Sequence, residues 1–494
     1  TGTAGLEFGA LNVDPGAVID ASTSSGRQTV SVAAGQSYLG GTGVDTVTSG
    51  AVAQVGTVSG GGGGADKLIL TSSVNAGAAT AALFKDFEIL QANTGVVANV
   101  GNFTGSAFTA VILSGNAEVG GMNAVQAANV SLAGGAQAIV LGLGGAMTAG
   151  QLDSVTLTNA TAAATLATPS LAGVETLNLV DAKAMTINGL TSATALTTIN
   201  ASGAGNLSIT TGALALNVNT VIDAHLSTGS VSIDASGSLA NGLTIIGSAT
   251  GVNQLTGNAS QKNTLVGGSG GGTLRGGSAA DVLTAGNGNH TIIGGGGNDT
   301  ITAGNGDNTI NADGTGASSI TAGNGWNVIT GGSGADIVKV GSGGNLVTGG
   351  RGADAISFGS HDAGVIDGLV YGGLNGANDT GAAITASGIV AGVDVIAGLH
   401  RGDSINLGQP AGALANDLGG AFAHAVAAGT AAAECVRGNY AASTGMFTAT
   451  ANGADSLLAW ADGSASHGTA AIVLLGYAGA AASAMSAGGI VTLG

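Results

Sequence analysis

The sequence predicts an all-β fold: a parallel β-solenoid followed by a mainly β C-terminal region. Three observations carry that expectation. Residues 276–357 read as consecutive units: GGSAADVLT, AGNGNHTII, GGGGNDTIT, AGNGDNTIN, the longer ADGTGASSIT, then AGNGWNVIT, GGSGADIVK, VGSGGNLVT and GGRGADAIS. Residues 71–260 alternate apolar and polar residues in short runs rich in Val, Ile, Leu and Thr, the period of a half-buried strand. Glycine supplies 94 of 494 residues against 3 prolines, and charged residues are only 8%. That composition excludes collagen, proline-rich linkers and disorder, and fits small apolar side chains packed in thin repeated layers.

The units follow G-G-x-G-x-D-x-U-x with U apolar, and Gly294–Thr302, Gly331–Lys339 and Gly349–Ser357 match at every defined position. The x-U-x half is a short strand whose apolar residue (Leu283, Ile292, Ile301, Ile310, Ile329, Val338, Val347, Ile356) points inward. The sixth position carries Asp281, His290, Asp299, Asn308, Ser318, Asn327, Asp336, Asn345 and Asp354 in order. With two units per turn, alternate units fall on opposite edges. One edge then holds Asp281, Asp299, Ser318, Asp336 and Asp354; the other holds His290, Asn308, Asn327 and Asn345.

Carboxylates stacked at the strand spacing, about 4.8 Å, repel one another. A hard cation with oxygen ligands cancels the repulsion, and calcium suits loops that offer carboxylates and backbone carbonyls. Ions are expected between Asp281 and Asp299 and between Asp336 and Asp354, with Ser318 weakening the gap between the pairs. The loop residues expected around them are Gly276, Gly294, Gly296, Asn298, Gly331, Ser333, Ala335 and Gly349. On the other edge, neutral amides can stack as a hydrogen-bonded ladder and need no ion.

This in-phase run resembles the RTX (repeats-in-toxin) family of bacterial proteins. The resemblance implies a calcium-binding β-roll, export through a type I secretion apparatus, and folding on meeting external calcium. Two earlier copies, GGTGVDTVT at Gly40–Thr48 and GGGGADKLI at Gly61–Ile69, place Asp45 and Asp66 at the sixth position, and at least one further calcium is expected there. FKDFEIL (Phe84–Leu90) and LAGVETL (Leu171–Leu177) share F/L-x-x-F/V-E-x-L, which resembles the repeats of RTX-type surface-layer (S-layer) proteins. Their Glu88 and Glu175 read equally as calcium ligands or as carboxylates capping a turn. Residues 392–407 resemble the segment that follows β-rolls in RTX proteins, and the tail resembles a region carrying an uncleaved type I secretion signal. A helix is expected over 416–436, and strands near 446–450, 456–460, 471–475 and 490–493. The expected domains are 1–70, 71–260, 261–360 and 361–494.

With 28 acidic and 10 basic residues the net charge is −18, which argues against nucleic acid or an anionic membrane surface and fits divalent cations. The lone Cys435 excludes an intramolecular disulfide. No secretory leader pattern opens the chain, and a start at Thr1 predicts a processed or partial chain. Several motifs dissolve on inspection. Arg401-Gly402-Asp403 belongs to the structural G-D-x-I-x-L segment rather than to a cell-binding loop, and Gly267–Gly271 spells G-x-S-x-G without a strand-to-helix elbow. No H-E-x-x-H and no G-K-[ST] occur. His290 is expected to serve the turn, and Trp326 to be an exposed contact residue.

With no catalytic constellation visible, the expectation is a non-enzymatic protein. The resemblance to RTX-type S-layer proteins implies an extracellular structural protein on a bacterial cell surface, assembling with calcium into a homo-oligomeric lattice. It further implies attachment to cell-surface polysaccharide through a segment outside this chain. The alternatives are a calcium-dependent RTX adhesin, which predicts monomers in calcium, and the non-catalytic part of an RTX exoprotein.

Overall fold

Strands two nonapeptides apart stack in parallel and in register. Leu265, Leu283, Ile301, Ile320, Val338 and Ile356 form one inward column. Leu255, Leu274, Ile292, Ile310, Ile329 and Val347 form the other. All are buried, as the period of the strand requires. Each such side chain contributes roughly 1.5–3 kcal/mol by leaving water, and the first positions Ala285, Ala303, Ala312, Ala322 and Val340 add to this thin core. The ten-residue unit does not break the stack. Its extra residue is absorbed between Asn311 and Gly314, where Asp313 takes a left-handed φ of 46°, and the pairing resumes at Gly314.

We describe the chain from a computed structural model, in which it divides into two units, Thr1–Gly251 and Val252–Gly494. The structure describes residues 3, 5–10, 14, 16–133, 135–137, 140–143, 153–167, 171, 173–190, 195–210, 219–238, 241–362, 365–370, 394–401, 403–407, 414–417, 433–441, 443, 446–449, 454–460, 470–477 and 490–493.

In the second unit both walls run on past the nonapeptides. Asp394–Ala397 pairs on Ala355–Ser357, and Ser404–Asn406 pairs on Gly368–Val370. Ala470–Leu475 adds in parallel to Asp394–Ala397 and leads into antiparallel strands at Asp455–Trp460, Ala433–Ala441 and Met446–Ala449. Ile490–Thr492 lies antiparallel on Ser404–Asn406 and covers backbone groups that the last turn would otherwise leave as an open edge. Met446–Ala449, Asp455–Trp460, Ala470–Leu475 and Ile490–Thr492 lie where C-terminal strands are expected. The helix expected over 416–436 is corrected at both ends: Leu414–Asp417 and Ala433–Ala441 are strands paired with each other, and residues 418–432 lie outside the described residues. Sheet pairing overrides the local apolar spacing there. Among the described residues no helix is long and apolar enough to cross a membrane.

The first unit repeats the principle with longer coils. Gln28–Val32, Thr46–Ser49, Lys67–Leu70, Ile89–Ala92 and Ala110–Leu113 stack in parallel, burying Val30, Val47, Leu68, Leu90 and Val111 in one column. Ser154–Thr158, Thr176–Val180, Thr198–Gly203 and Val221–Ser227 continue the pattern through Val155, Leu177, Ile199 and Ile222. The remaining strands complete this sheet or contribute to three others. Where loops widen the section, Phe103 packs edge-on against Phe108 at 5.5 Å, and a short helix at Ala124–Ala127 opens on a capping box between Asn123 and Gln126.

Candidate metal centre

The register of the roll brings every acidic sixth position into one buried column. Asp299 Oδ1 accepts the Asp281 N–H at 2.9 Å, Asp336 Oδ1 accepts the Ser318 N–H at 2.7 Å, and Asp354 Oδ1 accepts the Asp336 N–H at 2.8 Å. Between them, the Asp299 N–H donates to Ser318 Oγ at 3.3 Å, so serine keeps the ladder with a weaker, uncharged link. The pairs expected to share an ion, Asp281 with Asp299 and Asp336 with Asp354, are direct neighbours on successive turns. Each aspartate thus gives one oxygen to the backbone of the preceding turn and keeps one for something else.

The second oxygen is where a cation fits. Asp299 Oδ2 and Asp336 Oδ2 are buried and accept no hydrogen bond. A Cβ on Gly276 would strike both Asp281 Oδ2 and the Gly294 carbonyl oxygen; one on Gly331 would strike both Asp336 Oδ2 and the Gly349 carbonyl. A Cβ on Gly294 or Gly349 would strike Asp299 Oδ2 or Asp354 Oδ2 in turn. Glycine at the first position is therefore required for space: it lets a carboxylate oxygen of its own unit and a carbonyl oxygen of the next turn converge. Two oxygens gathered with no donor between them form an acceptor-only cluster, which a hard cation satisfies. Asp281 differs, since its Oδ2 accepts the Gly277 N–H at 2.6 Å and its Oδ1 accepts from Asn263. Burial pushes the carboxyls of Asp299 and Asp336 up to about 6, Asp299 with help from the charge of Asp281.

The other loop positions make contacts of their own between turns. The Gly296 N–H donates to the Gly277 carbonyl at 2.8 Å, and Ser333 donates to the Gly314 carbonyl through both N–H and Oγ. Asn298 turns its side chain outward to accept the Ala317 N–H at 3.1 Å, and Ala335 is exposed.

The opposite edge is the amide ladder. Asn308 Nδ2 donates to Asn327 Oδ1 at 3.0 Å, Asn327 Nδ2 to Asn345 Oδ1 at 2.9 Å, and each amide also donates to carbonyls of its own loop. His290 heads this ladder: it is buried, its N–H donates to Asn308 Oδ1 at 3.0 Å, and Nε2 meets the Gly268 carbonyl at 3.1 Å. That is a turn role. Gly267–Gly271 lies between the strands Asn263–Val266 and Gly272–Gly277, with no helix following.

In the first unit Asp45 and Asp66 are brought together in the same way despite their longer spacing. The Asp45 N–H donates to Asp66 Oδ1 at 2.7 Å. They are not equivalent. Asp45 Oδ2 accepts from Tyr38 Oη at 3.0 Å and from the Gly41 N–H at 3.2 Å, whereas Asp66 Oδ2 is buried without a hydrogen bond. Burial, with Glu88, Asp45 and Asp86 nearby, pushes the Asp66 carboxyl up to about 6. Glu88 and Glu175 extend the same ladder with a longer side chain: Glu88 Oε2 accepts the Asp66 N–H and Glu175 Oε2 the Asp153 N–H, both at 2.8 Å.

Sequence reasoning missed three members. Asp394 continues the acidic column by accepting the Asp354 N–H at 2.7 Å, while Asp367 and then Asp403 continue the amide edge at 2.8 and 3.0 Å. Their signal was present as D-x-U-x (DVIA, DGLV, DSIN) without the full glycine pattern of the template. Asp403 is fully buried, which removes Arg401-Gly402-Asp403 as a surface motif.

The model of the RTX calcium-binding nonapeptide repeat matches the chain in four copies, at residues 266–296, 291–314, 312–338 and 330–360. No curated protein and no solved structure matches it. These repeats bind calcium, and the proteins that carry them are typically secreted and extracellular. Four in-phase copies, stacked as a parallel roll with glycine-walled oxygen clusters along one edge, make residues 266–360 of this chain an RTX calcium-binding repeat region.

Proposed function

We propose that the chain is an extracellular structural protein that folds with calcium and assembles into a bacterial surface layer. Calcium would sit along the acidic edge, held by Asp281, Asp299, Asp336 and Asp354 with the carbonyls of Gly294 and Gly349, and in the first unit at Asp66. An ion that binds only the folded roll adds its binding free energy to folding. At low calcium the buried carboxylates oppose the roll, so export precedes folding.

The observation that carries the assembly reading is an apolar row on the amide side of the roll. Trp326 (65% exposed), Ile366 (57%), Leu346 (40%) and Val328 (39%) stand out on a mainly polar surface, and Val328 pairs directly with Leu346. Exposed apolar side chains gathered on one face favour contact with another molecule. Negative-stain electron microscopy in millimolar calcium and in excess chelator tests the reading. Ordered sheets are expected only with calcium, and they should be lost in Trp326→Ala with Ile366→Ala while calcium binding persists. Dispersed, folded monomers in calcium would overturn it and favour the adhesin.

A further inference from the structure

The amide edge ends in two acids, and the structure surrounds them with histidine. Asp367 and Asp403 occupy successive turns after Asn345, with the Asp367 N–H donating to Asp403 Oδ1 at 3.0 Å. Their side chains are 0% exposed, and His361, itself 4% exposed, places Nε2 3.5 Å from Asp367 Oδ2 and 3.3 Å from Asp403 Oδ1. The ring of His400 stands edge-on to that of His361, centroids 4.7 Å apart. Ligand atoms of His361, His400 and Asp403 lie within 4.8 Å of one another, the one such group of histidine and acid found among the described residues. Three potential ligand atoms here, His361 Nε2, His400 Nδ1 and Asp367 Oδ2, are buried and make no hydrogen bond.

We propose that His361, His400, Asp367 and Asp403 form a binding site for a borderline divalent cation of the zinc class, separate from the calcium loops. The donor set decides the metal. Calcium takes oxygen ligands only, whereas two imidazole nitrogens with two carboxylate oxygens are a four-ligand set for zinc, at about 2.0–2.2 Å. Charge decides it again, because two carboxylates and one dication sum to zero in a buried place. A protonated His361 alone would leave one carboxylate uncompensated and His400 Nδ1 without a partner. The fixed backbone bonds suit a second shell: the His400 N–H donates to Asp403 Oδ2 at 2.6 Å, and Asn345 holds Asp367 Oδ1 through its N–H and its Nδ2. The ion would pin the first segments after the nonapeptide run onto the end of the roll.

The test uses the full chain, stripped with chelator and refilled with millimolar calcium, then titrated with cobalt(II) as a visible probe. One equivalent of cobalt is expected, with tetrahedral d–d bands that zinc displaces and excess calcium does not. His361→Ala and His400→Ala should each abolish the bands, while His225→Ala, at the exposed pair with Asp223, should leave them unchanged. Calcium-induced circular dichroism reports whether each variant has folded. Zinc-edge X-ray absorption of the wild type needs no variant and should show two imidazole nitrogens. An all-oxygen shell, no cobalt or zinc retained by the calcium-loaded wild type, or equal retention in the folded histidine variants overturns the site.

Discussion

Replacing Asp299 and Asp336 together by Asn separates the two jobs of the acidic column. Asn keeps the Oδ1 acceptor that the N–H groups of Asp281 and Ser318 use, and removes the charge. Burial raises both carboxyls from an ordinary 3.8 to about 6. That difference of about 2 units corresponds to ~3 kcal/mol per site by which ionisation opposes the calcium-free fold at neutral pH. In chelator at pH 7 the double variant should therefore unfold at higher urea than the wild type, by up to that amount per site. In calcium at about one thousand times Kd the order should reverse, because the wild type then gains about 4.1 kcal/mol per ion, more than the ~3 kcal/mol that ionisation costs each site, and the variant loses those ions. Urea unfolding followed by far-UV circular dichroism, with and without calcium, reads both numbers. Asn327→Ala is the control: it breaks the amide ladder at about 1–3 kcal/mol but leaves calcium stoichiometry intact. A double variant less stable than wild type in chelator, or one that calcium stabilises as much as wild type, would refute the reasoning.

The same carboxyls set a pH dependence with a definite sign. Between about 4 and about 6 the folded, calcium-free roll binds more protons than the unfolded chain at Asp299 and Asp336, so its stability falls as pH rises and levels off above that window. Calcium needs the ionised forms, so the stabilisation it adds should grow over the same window; thermal melts across pH in chelator and in calcium check both slopes. Gly331→Ala should cost about 1–3 kcal/mol and impair calcium binding, because the new methyl meets Asp336 Oδ2 and the Gly349 carbonyl together. Gly64→Ala, where nothing lies within 4 Å, should be silent in the same calcium titration.

The roll was legible in the sequence because its period is short and strict. An apolar residue in the strand half of each unit, a polar residue at the sixth position and, on the acidic side, glycine at the first determine which side chains face inward and which share an edge. The inward columns and the split between an acidic and an amide edge follow from that spacing alone, and the ten-residue unit still delivers Ser318 to its place beside Asp299. Tertiary structure decided what lies beyond the period. Asp394 joins Asp354 across 40 residues and Asp403 joins Asp367 across 36, so their local D-x-U-x signal does not tell which column each one joins. The unequal roles of Asp45 and Asp66 depend on Tyr38, which a coil of different length brings under one carboxylate and not the other. The stretch around 416–436 carried an apolar spacing that suited a helix, yet its described ends pair as strands. His361 and His400 look scattered in the chain and meet only because parallel stacking returns distant residues to one edge at the strand spacing.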